Sequence, residues 1–158
     1  MLADALHDEI VSLRRVRAEA ADVRKRFGDL SESPPIYDLR AVASILTDIY
    51  QGAENVFEHI AETTGEGVPS GSEWHKKLLD QMEREAPGAR PASIHAETRA
   101  ALESFRKFRH RARHVYGFDL KWNRMKPLLV VAEETVDLII ADLDTFCQWL
   151  DALGDDEA

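Results

Sequence analysis

Residues 39–60 read LRAVASILTDIYQGAENVFEHI, and this stretch decides the fold class of the chain. Its apolar side chains recur at a spacing of three or four residues, at Leu39, Val42, Ile45, Leu46, Ile49, Ala53, Val56, Phe57 and Ile60. That spacing places them on one face of an α-helix, whereas a half-buried strand would alternate apolar and polar residues. The stretch therefore predicts a long amphipathic helix.

The same helical spacing continues outward in both directions and is interrupted by breaks rich in glycine and proline. We expect helices over roughly residues 2–27, 39–60, 72–84, 93–116 and 123–153. The last helix begins near Asn123 or Pro127, and Gly117 is a suitable stop for the fourth. Because the connections are short, neighbouring long helices should be antiparallel. The prediction is one all-α domain over residues 1–158, an up-down helical bundle of four long helices plus one short helix.

Several features of the sequence limit where in the cell the protein can be expected. No apolar run approaches the roughly 20 residues of a membrane span, and the N-terminus carries acids where a signal peptide needs cations. The single cysteine, Cys147, lies in an apolar helical stretch, which favours a buried thiol. We therefore expect a cytoplasmic protein that has no membrane partner.

The charge of the chain is unevenly distributed. The net charge is −9, which argues against a general nucleic-acid coat because the summed field repels phosphate. Residues 104–126 nevertheless carry eight cations and one acid, Asp119, so this segment has a charge of +7 and the remainder −16. A second, weaker basic run lies between Arg14 and Arg26. A charged run is usually a solvated helix face, but the denser run coincides with the motif described next, which favours a phosphate-binding surface.

Residues 109–116 read RHRARHVY and suggest a catalytic site. Histidine, with an unperturbed pKa of about 6.5, can both give and take a proton near neutral pH. Arginine is a permanent cation whose planar fork matches phosphate oxygens. Together they are sufficient for cutting a phosphodiester without a metal or another cofactor. The candidate catalytic residues are Arg109 and His114, and the candidate supporting or substrate-binding residues are His110, Tyr116, Lys107 and Arg113.

A helical wheel predicts the direction of this motif. With Arg109 at 0° and ~100° per residue, the apolar residues of the fourth helix, among them Phe105, Phe108 and Val115, centre near 280°. On the same scale His110 falls near 100°, His114 near 140° and Tyr116 near 340°. Both histidines should therefore face away from the core. Since Arg109 and His114 lie ~140° apart, a second surface must complete the site.

An arginine, a polar residue, three further residues, a histidine, one residue and a tyrosine form a pattern that resembles the HEPN superfamily of ribonucleases. Within it, the chain is most similar to the HepT toxins, which are encoded beside minimal nucleotidyltransferases. The matching positions are Arg109, His110, His114 and Tyr116, in an all-helical chain whose motif lies late in the penultimate long helix. His110 stands where asparagine or aspartate is common in the family.

This resemblance implies a metal-independent endoribonuclease toxin that acts on RNA as a homodimer, with two motifs meeting across a two-fold axis. It assigns His114 as general base or acid, with the partner copy in the complementary role, and Arg109 as the phosphate-binding group. His110 would orient Arg109 or the substrate, and Tyr116 would pack beside the arginine. The resemblance also implies that a cognate nucleotidyltransferase antitoxin attaches adenylate to Tyr116 and silences the toxin.

Other interpretations of the same residues stay open. The pair His110 and His114 has a spacing that can share a zinc ion, with His75 or His95 as further ligands. The cationic face could belong to a non-catalytic subunit, an antitoxin or scaffold, that holds a nucleotidyltransferase or a nucleic acid, or to a plain structural bundle. Trp74 and Trp122 could stack an RNA base, although a role in packing the bundle is the more common one.

Overall fold

The computed structural model describes residues 1–156 and is an all-α bundle. Its helices are α1 (Leu2–Phe27), α2 (Ile36–Thr63), α3 (Trp74–Glu83), α4 (Ala96–Ala112) and α5 (Trp122–Asp156), and no strand occurs among these residues. Helices α1 and α4 each pack against both α2 and α5, and the short α3 packs against α2 and α4. The predicted class, four long helices and one short one, is confirmed. No helix within residues 1–156 is long and apolar enough to cross a membrane.

Helix α2 lies at the centre of the bundle. Every residue of the apolar stripe quoted from residues 39–60 is buried. Gly52 allows α1 to approach closely, since a Cβ atom at this position would lie 2.7 Å from Cδ2 of Leu13. The sequence pattern of α2 therefore sets the position of the helices around it.

The end of α4 differs from the prediction. The helix ends at Ala112 and not at Tyr116–Gly117, and a 3₁₀-helix follows over Gly117–Asp119. The amide of His114 bonds to the carbonyl of Arg111, an i→i−3 contact that tightens the chain at the helix end. The turn brings Leu120 against the core and leaves Val115 exposed, although the periodicity placed Val115 in the apolar stripe. Tertiary packing of the following segment thus outweighs local helical periodicity.

The weaker basic run on α1 contributes to packing within the bundle. Arg17 forms a two-pronged ion pair with Asp137 of α5, with Nε–Oδ1 and Nη2–Oδ2 distances of 2.7 and 2.9 Å. Arg24 lies 3.6 Å from Glu133 of the same helix, and Arg26 contacts an acid of α2. These pairs show that much of this run is neutralised by acids of the same chain.

The position of α3 is fixed by a buried arginine. The Arg90 side chain is 1% exposed and lies against Glu66 in the loop before α3. Its Nε and Nη2 atoms donate to the two carboxylate oxygens of Glu66. The remaining donors reach the carbonyls of Gln81, Arg84 and Pro91 at 2.9–3.0 Å. Arg90 therefore fastens the C-terminal end of α3 to the loop that precedes the helix and to the segment that follows it.

Candidate active site

A cleft of about 680 Å³ lies between the C-terminal half of α4, the start of α3 and the middle of α2. The lining residues are mostly cations and histidines: Tyr50, Ser72, Glu73, His75, Lys76, Arg106, Lys107, Arg109, His110, Arg111, Arg113 and His114. The structure thus brings together Arg109, His114, His110, Lys107 and Arg113, five of the six residues that the sequence singled out.

Arg109 is held against α2 before any substrate arrives. Its Nη2 atom donates to Oε1 of Gln51 at 2.6 Å, and its guanidinium carbon lies 5.8 Å from the centroid of the Tyr50 ring. A guanidinium has several further N–H donors, so this contact fixes the side chain and leaves donors for an anion. The group is therefore preorganised for a phosphate.

The cations around Arg109 differ in their availability. Arg106 is neutralised by Glu103, with an Nη2–Oε1 distance of 2.6 Å, and this hydrogen bond lowers the pKa of the Glu103 carboxyl despite partial burial. Lys107 and Arg113 are exposed and have no carboxylate within ion-pair distance among residues 1–156. These two side chains consequently remain available to attract a phosphate backbone.

His110 and His114 lie at the open side of the cleft. Both are exposed, and their ring centroids are 4.7 Å apart in an edge-on arrangement. The outward direction of His110 agrees with the wheel, whereas His114 lies two residues beyond the end of α4, where the wheel no longer applies, and is exposed as well. The second surface that the wheel required is supplied, at least in part, by α2 and α3 of the same chain.

Tyr116 is the one candidate that does not line this cleft. Because α4 ends at Ala112, the wheel position of Tyr116 beside Arg109 does not apply, and the ring next to the guanidinium is that of Tyr50. The Tyr116 side chain is 72% exposed, and its ring stacks on Phe118 with a centroid distance of 5.1 Å. It lies instead at the start of the 3₁₀-helix.

The sequence analysis missed two buried residues of the cleft region, Glu54 and Tyr50, and named half-buried His75 beside the motif only as a possible zinc ligand. Nδ1 of His75 lies 2.6 Å from Oε2 of Glu54, whose side chain is only 2% exposed. The Tyr50 hydroxyl is buried and lies within hydrogen-bonding distance and angle of no partner among residues 1–156. Burial, together with the nearby charge of Glu54, raises the pKa of Tyr50 far above its usual value, so this phenol stays protonated as a donor. The signal was the polar Glu54 on the apolar face of α2, four residues after Tyr50.

The other candidates serve the packing of the bundle. Trp122 is buried and donates from Nε1 to the carbonyl of Leu30 at 3.1 Å, which excludes it as an exposed stacking platform. Trp74 is half-buried against the core, and Cys147 is buried as expected, which raises the pKa of its thiol. Within residues 1–156 no three histidine, cysteine, aspartate or glutamate side chains form a group that could hold a metal ion.

The fold and the cleft together define a class: an all-α protein with a preorganised arginine and several histidines in a cationic cleft. A family model described as HepT-like protein matches residues 41–150, which include most of α2, all of α3 and α4, and most of α5. The chain therefore belongs to the HepT-like family. No curated protein and no solved structure matches it.

Proposed function

We propose that the protein is a metal-independent endoribonuclease and the toxin of a toxin–antitoxin pair. The observation that carries this proposal is that Arg109 and His114 line one cleft with the exposed cations Lys107 and Arg113. Membership of the HepT-like family supports the same class of reaction. The cationic lining supports independence from metal ions, because it attracts phosphates and repels a divalent cation.

In the proposed reaction the 2′-hydroxyl of a ribose attacks the adjacent phosphorus. A 2′-oxygen–phosphorus bond forms and the bond from phosphorus to the 5′-oxygen breaks, which leaves a 2′,3′-cyclic phosphate and a 5′-hydroxyl. One group must take the proton of the 2′-hydroxyl and another must protonate the 5′-oxygen. His114 supplies one of these transfers. Arg109 stabilises the charge that develops on the phosphate, a contribution of ~10²–10³ in rate, and His110 orients the arginine or the substrate.

The decisive experiment incubates the purified protein with total RNA in excess EDTA. We expect cleavage to persist and to leave cyclic phosphate and 5′-hydroxyl ends. His114→Ala should abolish cleavage with little effect on RNA binding, whereas His59→Ala, which changes an exposed histidine of α2 outside the cleft, should be fully active. Products with 3′-hydroxyl and 5′-phosphate ends would overturn the mechanism. A His114→Ala protein that cleaves at the wild-type rate would favour the non-catalytic binding subunit.

The proposal includes a homodimer in which the two copies of α4 lie near a two-fold axis. The exposed rings of His110 and His114 support it, since an isologous contact brings residues near the axis together with their own copies. Light scattering should give twice the chain mass of 17.9 kDa at micromolar concentration. A fully active monomer would remove the partner subunit from the mechanism.

Regulation by a cognate nucleotidyltransferase antitoxin is the last part of the proposal. Tyr116 is the modification site, and its 72% exposure leaves the hydroxyl open to the active site of another enzyme. An adenylate on Tyr116 adds bulk and negative charge close to the end of α4, which opposes the approach of RNA. Modification at this position changes no core contact, so the fold should persist.

A further inference from the structure

The core of α2 contains a carboxylate that the bundle does not need for packing. Glu54 is 2% exposed and is surrounded on its face of the helix by Tyr50, Ala53 and Phe57, all of them buried. Burying a carboxylate is costly unless a partner compensates it. Its partner is Nδ1 of His75, at 2.6 Å, on the neighbouring helix α3. An apolar residue would fill the same space at a lower cost, so this pair calls for an explanation beyond stability.

The carboxylate determines which nitrogen of His75 is presented to the cleft. Because a carboxylate accepts hydrogen bonds, Nδ1 carries the proton and donates it to Glu54. Nε2 is left as an acceptor and has no protein partner among residues 1–156. A carboxylate that holds an imidazole in this tautomer also stabilises the positive charge that appears when Nε2 takes up a proton.

His75 is also fixed in direction and accessible to a substrate. Its ring lies against the indole of Trp74, with a centroid distance of 3.7 Å, and the side chain is half-buried in the wall of the cleft. His114, by contrast, is exposed and bonds to no carboxylate in the described part of the chain. Of the two, His75 is the histidine whose tautomer and orientation are set in advance.

We propose that His75 is the general base of the reaction, positioned by Glu54, and that His114 is the general acid of the same cleft. This inference rests on the proposed ribonuclease function. Nε2 of His75 takes the proton from the 2′-hydroxyl as the 2′-oxygen bonds to phosphorus. His114 gives a proton to the 5′-oxygen as its bond to phosphorus breaks. One chain then provides both proton transfers.

Tyr50 completes this part of the cleft. Its ring lies beside the Arg109 guanidinium, with 5.8 Å between the guanidinium carbon and the ring centroid, and so helps to hold this side chain in place. The charged and titratable groups around His75 belong to all three surrounding helices. Helix α2 contributes Tyr50, Glu54 and Glu58. Glu73 and Lys76 lie around the start of α3, and the cleft wall formed by α4 and its end carries Arg106, Lys107, Arg109, His110, Arg111, Arg113 and His114.

The test uses the RNA site that wild-type protein cleaves, synthesised as a short oligonucleotide with either oxygen or sulfur as the 5′ leaving atom. A thiolate leaves without protonation, so loss of a general acid is rescued by sulfur and loss of a general base is not. His75→Ala should lower kcat by ~10²–10⁴ on both substrates. His114→Ala should lose activity on the oxygen substrate and recover most of it on the sulfur substrate.

A pH–rate profile separates catalysis from a structural role. With His75 as base, the rate of the wild type falls toward acidic pH as Nε2 becomes protonated, and this acidic limb should disappear in His75→Ala. Glu54→Gln removes the negative charge opposite the imidazolium, so its acidic limb should move to lower pH. The matched control is His95→Ala. Nδ1 of His95 also bonds to a carboxylate, Asp142, at 2.5 Å, but His95 lies outside the cleft, so this variant should keep the wild-type profile.

The outcomes distinguish this inference from the function on which it rests. A wild type that cleaves no RNA would refute both. An active wild type with a fully active His75→Ala variant would refute the assignment of His75 alone and would return the second proton transfer to the partner's copy of the motif. Rescue of His75→Ala by the sulfur leaving group would likewise refute the role as base. If His75→Ala fails to fold by circular dichroism, His75→Gln, which retains an amide donor, is tested with the same expected loss of rate.

Discussion

Replacing Arg90 by lysine should destabilise the bundle although it conserves the charge. The arginine side chain is 1% exposed and makes five hydrogen bonds, two to Glu66 and three to backbone carbonyls. Lysine offers three donors without the planar fork, so at least two bonds are lost. At about 1.5 kcal/mol for each hydrogen bond to a charged group, the loss is about 3 kcal/mol. For a chain of this length that corresponds to a fall in Tm of roughly 6–12 °C.

Thermal unfolding followed by circular dichroism measures this effect, and the chain supplies a matched control. Arg17 makes a similar two-pronged contact with Asp137, but the two side chains are 38% and 55% exposed. Water can replace the lost bonds there, so Arg17→Lys should leave Tm nearly unchanged. If the two variants lowered Tm equally, the argument that burial makes the Arg90 contacts necessary would be wrong.

The same contact predicts a dependence on pH. Burial pushes the pKa of Glu66 upward, but hydrogen bonds from Arg90, Thr64 and Gln81 outweigh it and hold the pKa below its ordinary value of 4.5. A lowered folded-state pKa contributes stability that is complete above the unfolded pKa and is lost as the pH falls through the folded pKa. The difference in Tm between the wild type and Arg90→Lys should therefore narrow below about pH 4.5. A difference that stays constant down to pH 3 would contradict this origin.

Further variants test the cleft, the modification site and the packing. Arg109→Ala should weaken RNA cleavage and also RNA binding, with a salt dependence shallower by about one unit of slope in anisotropy titrations, whereas Lys107→Ala should weaken binding mainly. Tyr116→Phe should abolish the adenylate adducts that intact mass spectrometry detects after co-expression with a cognate nucleotidyltransferase, and adducts that persist would place the site elsewhere. Gly52→Ala should lower Tm, because overpacking against α1 costs about 1–3 kcal/mol and exceeds the helix-propensity gain of about 1 kcal/mol. The control Gly154→Ala lies at an open position of α5 and should not lower Tm.

Helices whose apolar residues are all buried could be predicted from the sequence. The stripe of α2 was predictable because every third or fourth residue is apolar and each of these side chains is indeed buried. The end of α4 was not predictable, because the residues up to Tyr116 are locally compatible with a helix. The turn is set by contacts of Leu120 and Trp122 with distant parts of the core, such as the bond from Trp122 to Leu30.

Some residues of the candidate site could likewise be predicted from the sequence, and others could not. Arg109, His110 and His114 were accessible to sequence reasoning because they lie within six residues of each other and form a chemical pattern. Glu54 and His75 are separated by 21 residues, and periodicity assigns each to a helix face without saying which faces meet. Only the folded chain shows that the carboxylate in α2 lies against the histidine at the start of α3.

The ion pairs between α1 and α5 also determine how a polyanion meets this molecule. Because Arg17 and Arg24 are neutralised by acids of α5, they offer little attraction to RNA, and the free positive charge is concentrated around the end of α4. The protein is thus an electric dipole whose larger, acidic part repels an approaching strand while one end draws it in. Its field decays within a Debye length of about 8 Å at physiological salt, so it rotates a strand only during close encounter. This charge distribution therefore orients a bound strand more than it captures a distant one.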